Sequence, residues 1–208
     1  EFYKNYSSDP IGKRIGTKFI SVNSSFYTNL LSKLNNYKES QSQNTIMLVG
    51  TPANPNRYVH EQGQFFYIKV DLELRLIKIL KENGYRVIYK AHPDRLGEIE
   101  GIFGDLVDEY NISLFEDVWQ NADILLFTDT ASTTFGFSLA TNKKIVLLNN
   151  SFDNRNTSVE ALLKKRVRFV NISLHDDLRM KFDTDALLSA LSKSDECIDN
   201  SFVNKILN

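Results

Sequence analysis

The chain has almost no cysteine and no long hydrophobic run. Cys197 is the one cysteine among 208 residues, which excludes an internal disulfide and a cysteine-rich metal site. No apolar stretch approaches the roughly 18 residues that a membrane-spanning helix needs, and no segment has the pattern of a secretory signal. We also find no internal repeat and no low-complexity tract.

An excess of basic charge is missing as well. The 26 acidic and 25 basic residues give a formal net charge of -1. A protein that binds the nucleic-acid backbone usually has a strong basic excess, so we expect no nucleic-acid partner. The hydrophobic share of 42% and the charged share of 25% are those of a globular protein, and the length allows a substantial core.

The sequence divides at about residue 44. The first residue is Glu1 rather than Met, and we expect the chain to be part of a longer protein. Residues 1–44 are predicted to be an N-terminal extension with an amphipathic helix over residues 24–37. That helix either packs on the rest of the chain or is a remnant contact with a missing domain. Residues 45–208 are predicted to form the main domain.

From Thr45 onward, apolar runs typical of buried strands alternate with stretches typical of helices. Gly84 is placed to end the first of these helices. The predicted strands cover residues 45–50, 86–89, 123–127, 144–148 and 168–172. The predicted helices cover residues 71–83, 96–110 in part, 116–121, 133–141, 158–165 and 184–192. This alternation predicts an α/β fold, a Rossmann-like parallel sheet with helices on both faces.

The first candidate for binding chemistry is the segment Lys90-Ala91-His92-Pro93, which directly follows a predicted strand. Because a residue before proline avoids the helical conformation, His92 is expected to project from the strand end. Lys90, two residues earlier in an extended segment, points to the same side. The ammonium and the imidazole can both donate hydrogen bonds to a phosphate. The alternative is that His92 caps the edge of the sheet by bonding a nearby carbonyl.

The second candidate is the hydroxyl-rich segment of residues 128–134, Thr-Asp-Thr-Ala-Ser-Thr-Thr. It leads into a predicted helix, whose first N–H groups lack internal partners. Hydroxyls at such a place either cap the helix or help to hold a phosphate. Capping needs one hydroxyl, and the residues ahead of the helix supply Thr130, Ser132, Thr133 and Thr134. We interpret the segment as a phosphate site, with Asp129 bracing the loop.

Together with residues 142–148 (Asn-Lys-Lys-Ile-Val-Leu-Leu), these segments resemble the nucleotide-binding C-terminal half of GT-B glycosyltransferases. The nearest resemblance is to the CDP-glycerol glycerophosphotransferases of wall teichoic acid synthesis. Bacterial sialyltransferases and Kdo transferases that use CMP-activated sugars also have a His-Pro element and a downstream Ser/Thr element. The resemblance covers residues 85–148. It implies that His92 and Pro93 contact the cytidine nucleotide and that Ser132 and Thr133 hold phosphate.

The chain departs from those families at two points. Thr130-Ala131-Ser132 stands where the teichoic-acid enzymes have Tyr-Ser-Ser. The Asp/Glu-Asp/Glu-Gly element that supplies the base in sialyltransferases is missing. The catalytic base is therefore unassigned, and we expect it on a missing N-terminal acceptor domain or in the long loop of residues 51–69, which contains Arg57 and His60.

Further candidates lie at other strand and helix ends. Gly50 and Thr51, after the first predicted strand, are predicted to bind the donor. The resemblance implies that Glu160 holds the donor ribose, whereas its spacing from Thr157 is that of a capping box. Residues 183–185 have the Asp-x-Asp pattern of metal-dependent glycosyltransferases, but their place at the start of the last helix favours a helix cap.

The sequence thus predicts a transferase that uses a cytidine-activated donor, a CDP-polyol or a CMP-sugar, in bacterial surface polysaccharide synthesis. Lys90 and His92 are the expected catalytic residues. The expected donor and phosphate ligands are Gly50, Thr51, Pro93, Thr130, Ser132, Thr133, Thr134 and Glu160.

We expect no metal and no cofactor besides the nucleotide-activated donor, and a glycan or polyol as the acceptor. The expected location is the cytoplasm, with the inner face of the membrane as an option for the full-length protein. Two alternatives stay open: a non-catalytic regulatory or assembly module, and a sugar-nucleotide epimerase of the same architecture.

Overall fold

The computed structural model describes residues 44–50, 66–92, 96–130, 132–150 and 157–192. Within these residues, seven strands form a single sheet. The strands are β1 (Thr45–Val49), β2 (Arg86–Lys90), β3 (Glu109–Asn111), β4 (Ile124–Phe127), β5 (Lys144–Asn150), β6 (Arg168–Leu174) and β7 (Met180–Phe182). The helices are α1 (Phe66–Glu82), α2 (Leu96–Phe103), α3 (Phe115–Val118), α4 (Thr133–Ser138), α5 (Thr157–Arg166) and α6 (Thr184–Ser192), with short 3-10 turns at Gly104–Leu106 and Trp119–Asn121.

The strand order of the sheet is β3-β2-β1-β4-β5-β6-β7. Strands β1 to β6 pair in parallel, and β7 is antiparallel to β6 at one edge. The chain therefore moves outward from β1 to β3 on one side and then returns to the other side of β1 for β4, β5 and β6. This is the order of a doubly wound sheet. It confirms the predicted Rossmann-like fold class.

Helices cover both faces of the sheet. On one face, which we call the α1 face, Leu72 and Leu76 of α1 pack over Leu48 and Leu126 of the central strands, and α2 and α6 contribute to the same cluster. The other face, the aromatic face, has a set of rings in mutual contact: Phe115, Trp119, Phe127, Phe135 and Phe137. Strands buried on both faces are continuous apolar runs, which is why their positions can be predicted from the sequence.

Helix α1 begins at Phe66 rather than at the predicted residue 71. Ile68 and Val70 are buried in the α1 face, and this packing holds the first turn in spite of the modest helix propensity of such residues. The predicted loop of residues 51–69 is correspondingly shorter, because residues 66–69 are helical.

The predicted end of α1 at Gly84 is confirmed. Gly84 adopts a left-handed φ of 78°. Its N–H donates to Lys81 O at 3.1 Å, and the N–H of Tyr85 donates to Leu80 O at 3.1 Å. These two bonds form the Schellman motif, which satisfies the last carbonyls of a helix at a glycine.

Two short edge strands differ from the sequence prediction. The predicted helix over residues 96–110 stops at Phe103, because Gly104 adopts a φ of 44°, and β3 follows it. Strand β7 forms where no element is predicted. Each strand has three residues, too few for an alternating pattern to be recognised, and each is stabilised by pairing with its neighbour.

Helix α4 ends at Ser138 rather than at the predicted residue 141. The buried guanidinium of Arg166 donates to the carbonyls that follow it: Leu139 O at 3.1 Å, Thr141 O at 2.6 Å and Lys143 O at 2.9 Å. Arg166 lies in the last turn of its own helix, α5, where a cation also offsets the helix dipole. It thus holds the carboxyl end of α4, whose other end bears the hydroxyl-rich segment.

A cluster of charged residues joins α1 to the hairpin of β6 and β7. The Asp71 carboxylate accepts hydrogen bonds from Arg75 at 2.9 Å and Arg179 at 2.6 Å. Arg75 also donates to Met180 O at 2.5 Å, and its guanidinium lies 5.5 Å from the centre of the Phe182 ring. The hairpin is therefore attached to the amino-terminal half of α1.

Some predictions lie outside the described residues. They are the helix over residues 24–37 with the rest of the extension up to residue 43, the loop of residues 51–65, and Cys197. No helix in the described part of the chain combines the length and the apolar character that crossing a membrane requires.

Candidate functional site

The carboxyl ends of β1 to β6 lie along one edge of the sheet, because these strands are parallel. The strand order reverses at β1, whose two neighbours are β2 and β4. In open α/β sheets, ligands bind outside the carboxyl ends of the strands at such a reversal. We call this edge, bounded by Gly50, residues 90–92 and residues 128–130, the switch point. Both segments singled out in the sequence begin there.

The register of the sheet brings these segments to the same level. Val49 is paired with Lys90 in β2 and with Phe127 in β4. Neighbouring strands are about 4.8 Å apart, so the backbones of Lys90 and Phe127 are separated by about 10 Å, with the end of β1 between them. A single nucleotide is long enough to contact both sides of β1.

Lys90 ends β2 with a buried side chain, 6% exposed. Its Nζ donates to Ala91 O at 2.8 Å. Burial lowers the pKa of Lys90, and the Glu116 carboxylate opposes part of that shift. An ammonium has three donors, and the Ala91 carbonyl takes one of them. An anionic ligand beside Lys90 would favour the charged form that burial disfavours.

His92 is half-buried and lies two residues beyond Lys90. The N–H of Ala91 donates to Asn111 O at 3.0 Å, so the pairing of β2 with β3 continues up to His92. The extended backbone expected at His92 stays a prediction, and Pro93 and Thr51 lie outside the described residues. The contact of His92 with a phosphate stays a prediction.

Gly50 has a packing role that the sequence does not predict. Its N–H donates to Lys90 O at 3.0 Å. A side chain on Gly50 would collide with Tyr89, whose hydroxyl donates to Glu73 Oε2 at 2.9 Å. Tyr89 and Glu73 are fully buried. The glycine makes room for this pair, and donor binding by Gly50 stays a prediction.

Ser132 caps helix α4. Its backbone is extended (φ -131°, ψ 147°), and its hydroxyl oxygen accepts from the Phe135 N–H at 3.1 Å. The Ser132 hydroxyl therefore caps the helix, which is the role that the sequence offers as the alternative to phosphate binding. A hydroxyl that accepts can still donate. Thr130 and Thr134 are half-buried and Thr133 is exposed, and binding of phosphate by these side chains stays a prediction.

Thr128 is a residue of the switch point that the sequence does not distinguish. It directly follows β4 and is 4% exposed. Its Oγ1 is enclosed without a hydrogen-bond partner in the described part of the chain. The other hydroxyls of the segment also belong to threonine or serine residues, so residue type does not single out Thr128. Its burial does.

Two further candidates, Glu160 and Asp183, each bond to residues of the neighbouring helix turn. Glu160 pairs with Lys164 at 2.7 Å in α5, and its roles in capping and in ribose binding stay predictions. Asp183 Oδ1 accepts from the N–H groups of Asp185 at 2.8 Å and Ala186 at 3.1 Å, which confirms the predicted cap of α6. Across the described residues, no group of three or more His, Cys, Asp and Glu side chains is arranged to hold a metal ion.

A cavity of about 400 Å³ lies at the opposite edge of the sheet, lined in part by Asn44, Asp123 and Lys144 at the amino ends of strands. Asp123 Oδ2 accepts from the Thr45 N–H at 2.8 Å, and Lys144 Nζ donates to Leu191 O at 3.0 Å. The charged groups of Asp123 and Lys144 therefore join the ends of strands and helices. The cavity itself is remote from the switch point.

The fold and the site define the class of this protein. It is a Rossmann-like α/β protein with a lysine, a histidine and a set of hydroxyl side chains at its switch point. No protein-family model matches the chain, and no curated protein matches it.

Two solved structures have a distant similarity to the chain. The structure of MT0777 is 13% identical, with a TM-score of 0.45, over 72% of this chain and 98% of that one. The beta Kdo 2,7 transferase KpsC of Thermosulfurimonas dismutans is 16% identical, with a TM-score of 0.37, over 84% of this chain and 63% of its own.

Proposed function

We propose that the chain is the donor-binding domain of a transferase that uses a cytidine-activated donor, a CDP-polyol or a CMP-sugar, to build a bacterial surface polysaccharide. The observation that supports a nucleotide site is the strand order, in which β2 and β4 flank β1. Lys90 and His92 therefore lie on one side of the switch point, and the hydroxyl-rich segment begins on the other. Cationic and hydroxyl donors around one strand end suit a phosphate.

The choice of cytidine and of polysaccharide synthesis rests on the resemblance of residues 85–148 to the CDP-glycerol and CMP-sugar transferases. The two donor classes release the same leaving group. A CMP-sugar loses CMP when the bond from the anomeric carbon to the phosphate oxygen breaks. A CDP-polyol loses CMP when the bond between its second phosphorus and the bridging oxygen breaks.

In both reactions, negative charge develops on the phosphate of the departing CMP. In our proposal, Lys90, His92 and the start of α4 at residues 132–134 donate hydrogen bonds to that phosphate. Electrostatic stabilisation of this kind is often the largest contribution to catalysis. A general base must also take the proton of the acceptor hydroxyl, and we assign it to a separate acceptor domain or to residues 51–65.

Titration calorimetry of the 208-residue chain with CMP, CDP and UDP tests the proposal. We expect the cytidine nucleotides to bind. We expect His92→Ala to weaken CMP binding by about tenfold or more, the loss that follows from removing a hydrogen bond to a charged group. His175→Ala is the matched control, because His175 is exposed and follows β6, four strands away from β2.

The outcomes separate the alternatives. If no nucleotide binds at millimolar concentration, the chain is better described as a non-catalytic module of the same fold. If UDP and CDP bind equally well, the nucleotide site stands and the assignment of cytidine is wrong. If His92→Ala binds CMP as tightly as the wild type, His92 does not belong to the site.

A further inference from the structure

The hydroxyl of Thr128 is a buried polar group that the fold leaves unsatisfied. Thr128 is 4% exposed, and within the described residues its Oγ1 has no hydrogen-bond partner. Buried side-chain oxygens in proteins nearly always have a partner, so each exception calls for a physical explanation. Valine has almost the same shape and would fill the same space without this cost.

The position of Thr128 points to a ligand. Strand β4 ends at Phe127, whose ring packs on the aromatic face. Thr128 follows it in a bend at the carboxyl end of the strand. Thr128 and Gly50 each come one residue beyond the paired Val49 and Phe127. Thr128 and Gly50 thus form the base of the switch point, between the two central strands.

A second buried threonine shows what a structural hydroxyl looks like in this fold. Thr141 is 1% exposed. Its Oγ1 donates to Ser138 O at 2.7 Å and accepts from the Lys143 N–H at 3.3 Å. The hydroxyl of Thr141 is satisfied by the chain itself, and that of Thr128 is not.

We infer that the Thr128 hydroxyl donates a hydrogen bond to the phosphate of the bound nucleotide. This inference rests on the proposed function and adds a specific contact to it. The phosphate is the part of the ligand that Thr128 suits, because Thr128 opens the hydroxyl-rich segment that leads to the start of α4, which the proposed function places around that phosphate. Rotation about the Cα–Cβ bond moves the hydroxyl from its present enclosed place to another staggered position.

The test compares Thr128→Val, which removes the hydroxyl, with Thr128→Ser, which keeps it. We expect Thr128→Val to bind CMP and CDP about tenfold or more weakly than the wild type, because it lacks one hydrogen bond to a charged group. Cytidine, which has no phosphate, is expected to lose less affinity. Thr128→Ser is expected to bind CMP nearly as the wild type does.

The same variants are compared without ligand by urea denaturation. We expect Thr128→Val to be at least as stable as the wild type, because the hydroxyl has no partner to lose. Thr141→Val is the matched control. It is expected to be less stable than the wild type, because the hydrogen bonds of the Thr141 hydroxyl with the Ser138 carbonyl and the Lys143 N–H are lost, and to keep the wild-type affinity for CMP.

Three results would overturn the inference while leaving the proposed function in place. The first is CMP binding by Thr128→Val with wild-type affinity. The second is an equal loss of affinity for cytidine and CMP. The third is destabilisation of unliganded Thr128→Val to the extent seen in Thr141→Val, which would show that the hydroxyl has a structural partner. Failure of the wild type to bind CMP would instead remove the proposed function, and this inference with it.

Discussion

A methyl group on Gly50 would occupy the space that the Tyr89 ring fills. The added Cβ would lie 2.6 Å from Tyr89 Cζ, closer than atoms in van der Waals contact can approach. Tyr89 and Glu73 are fully buried, and the ring cannot move away without breaking the 2.9 Å bond between the two side chains. The glycine at the end of β1 is needed for close packing, since its φ is not in the left-handed region.

We expect Gly50→Ala to lower the free energy of unfolding by about 2–4 kcal/mol, because it overpacks the core and weakens a buried hydrogen bond. Urea denaturation followed by the fluorescence of Trp119 measures the change. Gly97→Ala is the matched control. Gly97 is exposed in α2 with nothing within 4 Å of an added Cβ, and alanine there is expected to raise stability by up to about 1 kcal/mol. Equal stability of the two variants would contradict the packing of Tyr89 against Gly50.

The sequence identifies the chemistry of the site residues but not their surroundings. Lys90 and His92 can be singled out because they follow an apolar run and precede a proline. The burial of Lys90 and its lowered pKa depend on residues that are distant in the chain, such as Glu116. Thr128 and Thr130 are the same residue type, and only the packing of β4 makes one of them buried and the other half-exposed.

At the scale of elements, the contact between α1 and the hairpin of β6 and β7 is expected to depend on pH. The hydrogen bond from Arg179 lowers the pKa of Asp71, partial burial opposes this, and Arg75 adds to the lowering. A carboxyl group with a lowered pKa in the folded state contributes stability above its unfolded pKa, which is about 3.9 for Asp. That contribution is lost as the pH falls through the folded pKa.

We therefore expect Asp71→Asn to be less stable than the wild type near neutral pH and the difference to shrink below about pH 4. Urea denaturation across this pH range measures the difference, and added salt should reduce it at neutral pH. Asp105→Asn, which removes an exposed carboxylate next to the opposite edge of the sheet, serves as the control for the change in net charge. A difference that stays constant as the pH falls would show that the charge of Asp71 is not what joins the two elements.

The elements that the sequence predicts well are those whose own residues are sufficient to specify them. Strands β1, β4 and β5 are apolar runs, and α6 is preceded by a residue, Asp183, that caps it. Strands β3 and β7 are missed because three residues contain too little pattern. The end of α4 is misplaced because Arg166, on another helix, bonds the carbonyls beyond it.

At the scale of the whole molecule, stability is expected to fall from the centre of the sheet to its edges. Strands β1 and β4 are buried along their full length, whereas β3 is half-buried at one edge and β7 lies at the other. Regions with few buried contacts open locally, and core strands exchange only when the whole domain unfolds.

Native-state hydrogen exchange tests this order. We expect the amides of β1 and β4 to exchange with the free energy of global unfolding and those of β3 and β7 to exchange much faster. Addition of urea should accelerate exchange in β1 and β4, which need global unfolding, far more than in the edge strands. Exchange of β1 as fast as that of β3 would contradict a core centred on β1.

The sequence by itself determines that strands and helices alternate and that polar donors follow two of the strands, because hydrophobic periodicity and residue type are local properties. Only the tertiary structure decides that β2 and β4 are both neighbours of β1, and hence that Lys90 and Thr128 border the same strand end. Pairing between strands joins residues that are far apart in the chain, and no local pattern records which strands are partners. The enclosure of the Thr128 hydroxyl is decided in the same way, because burial is a property of everything packed around a residue and not of the residue itself.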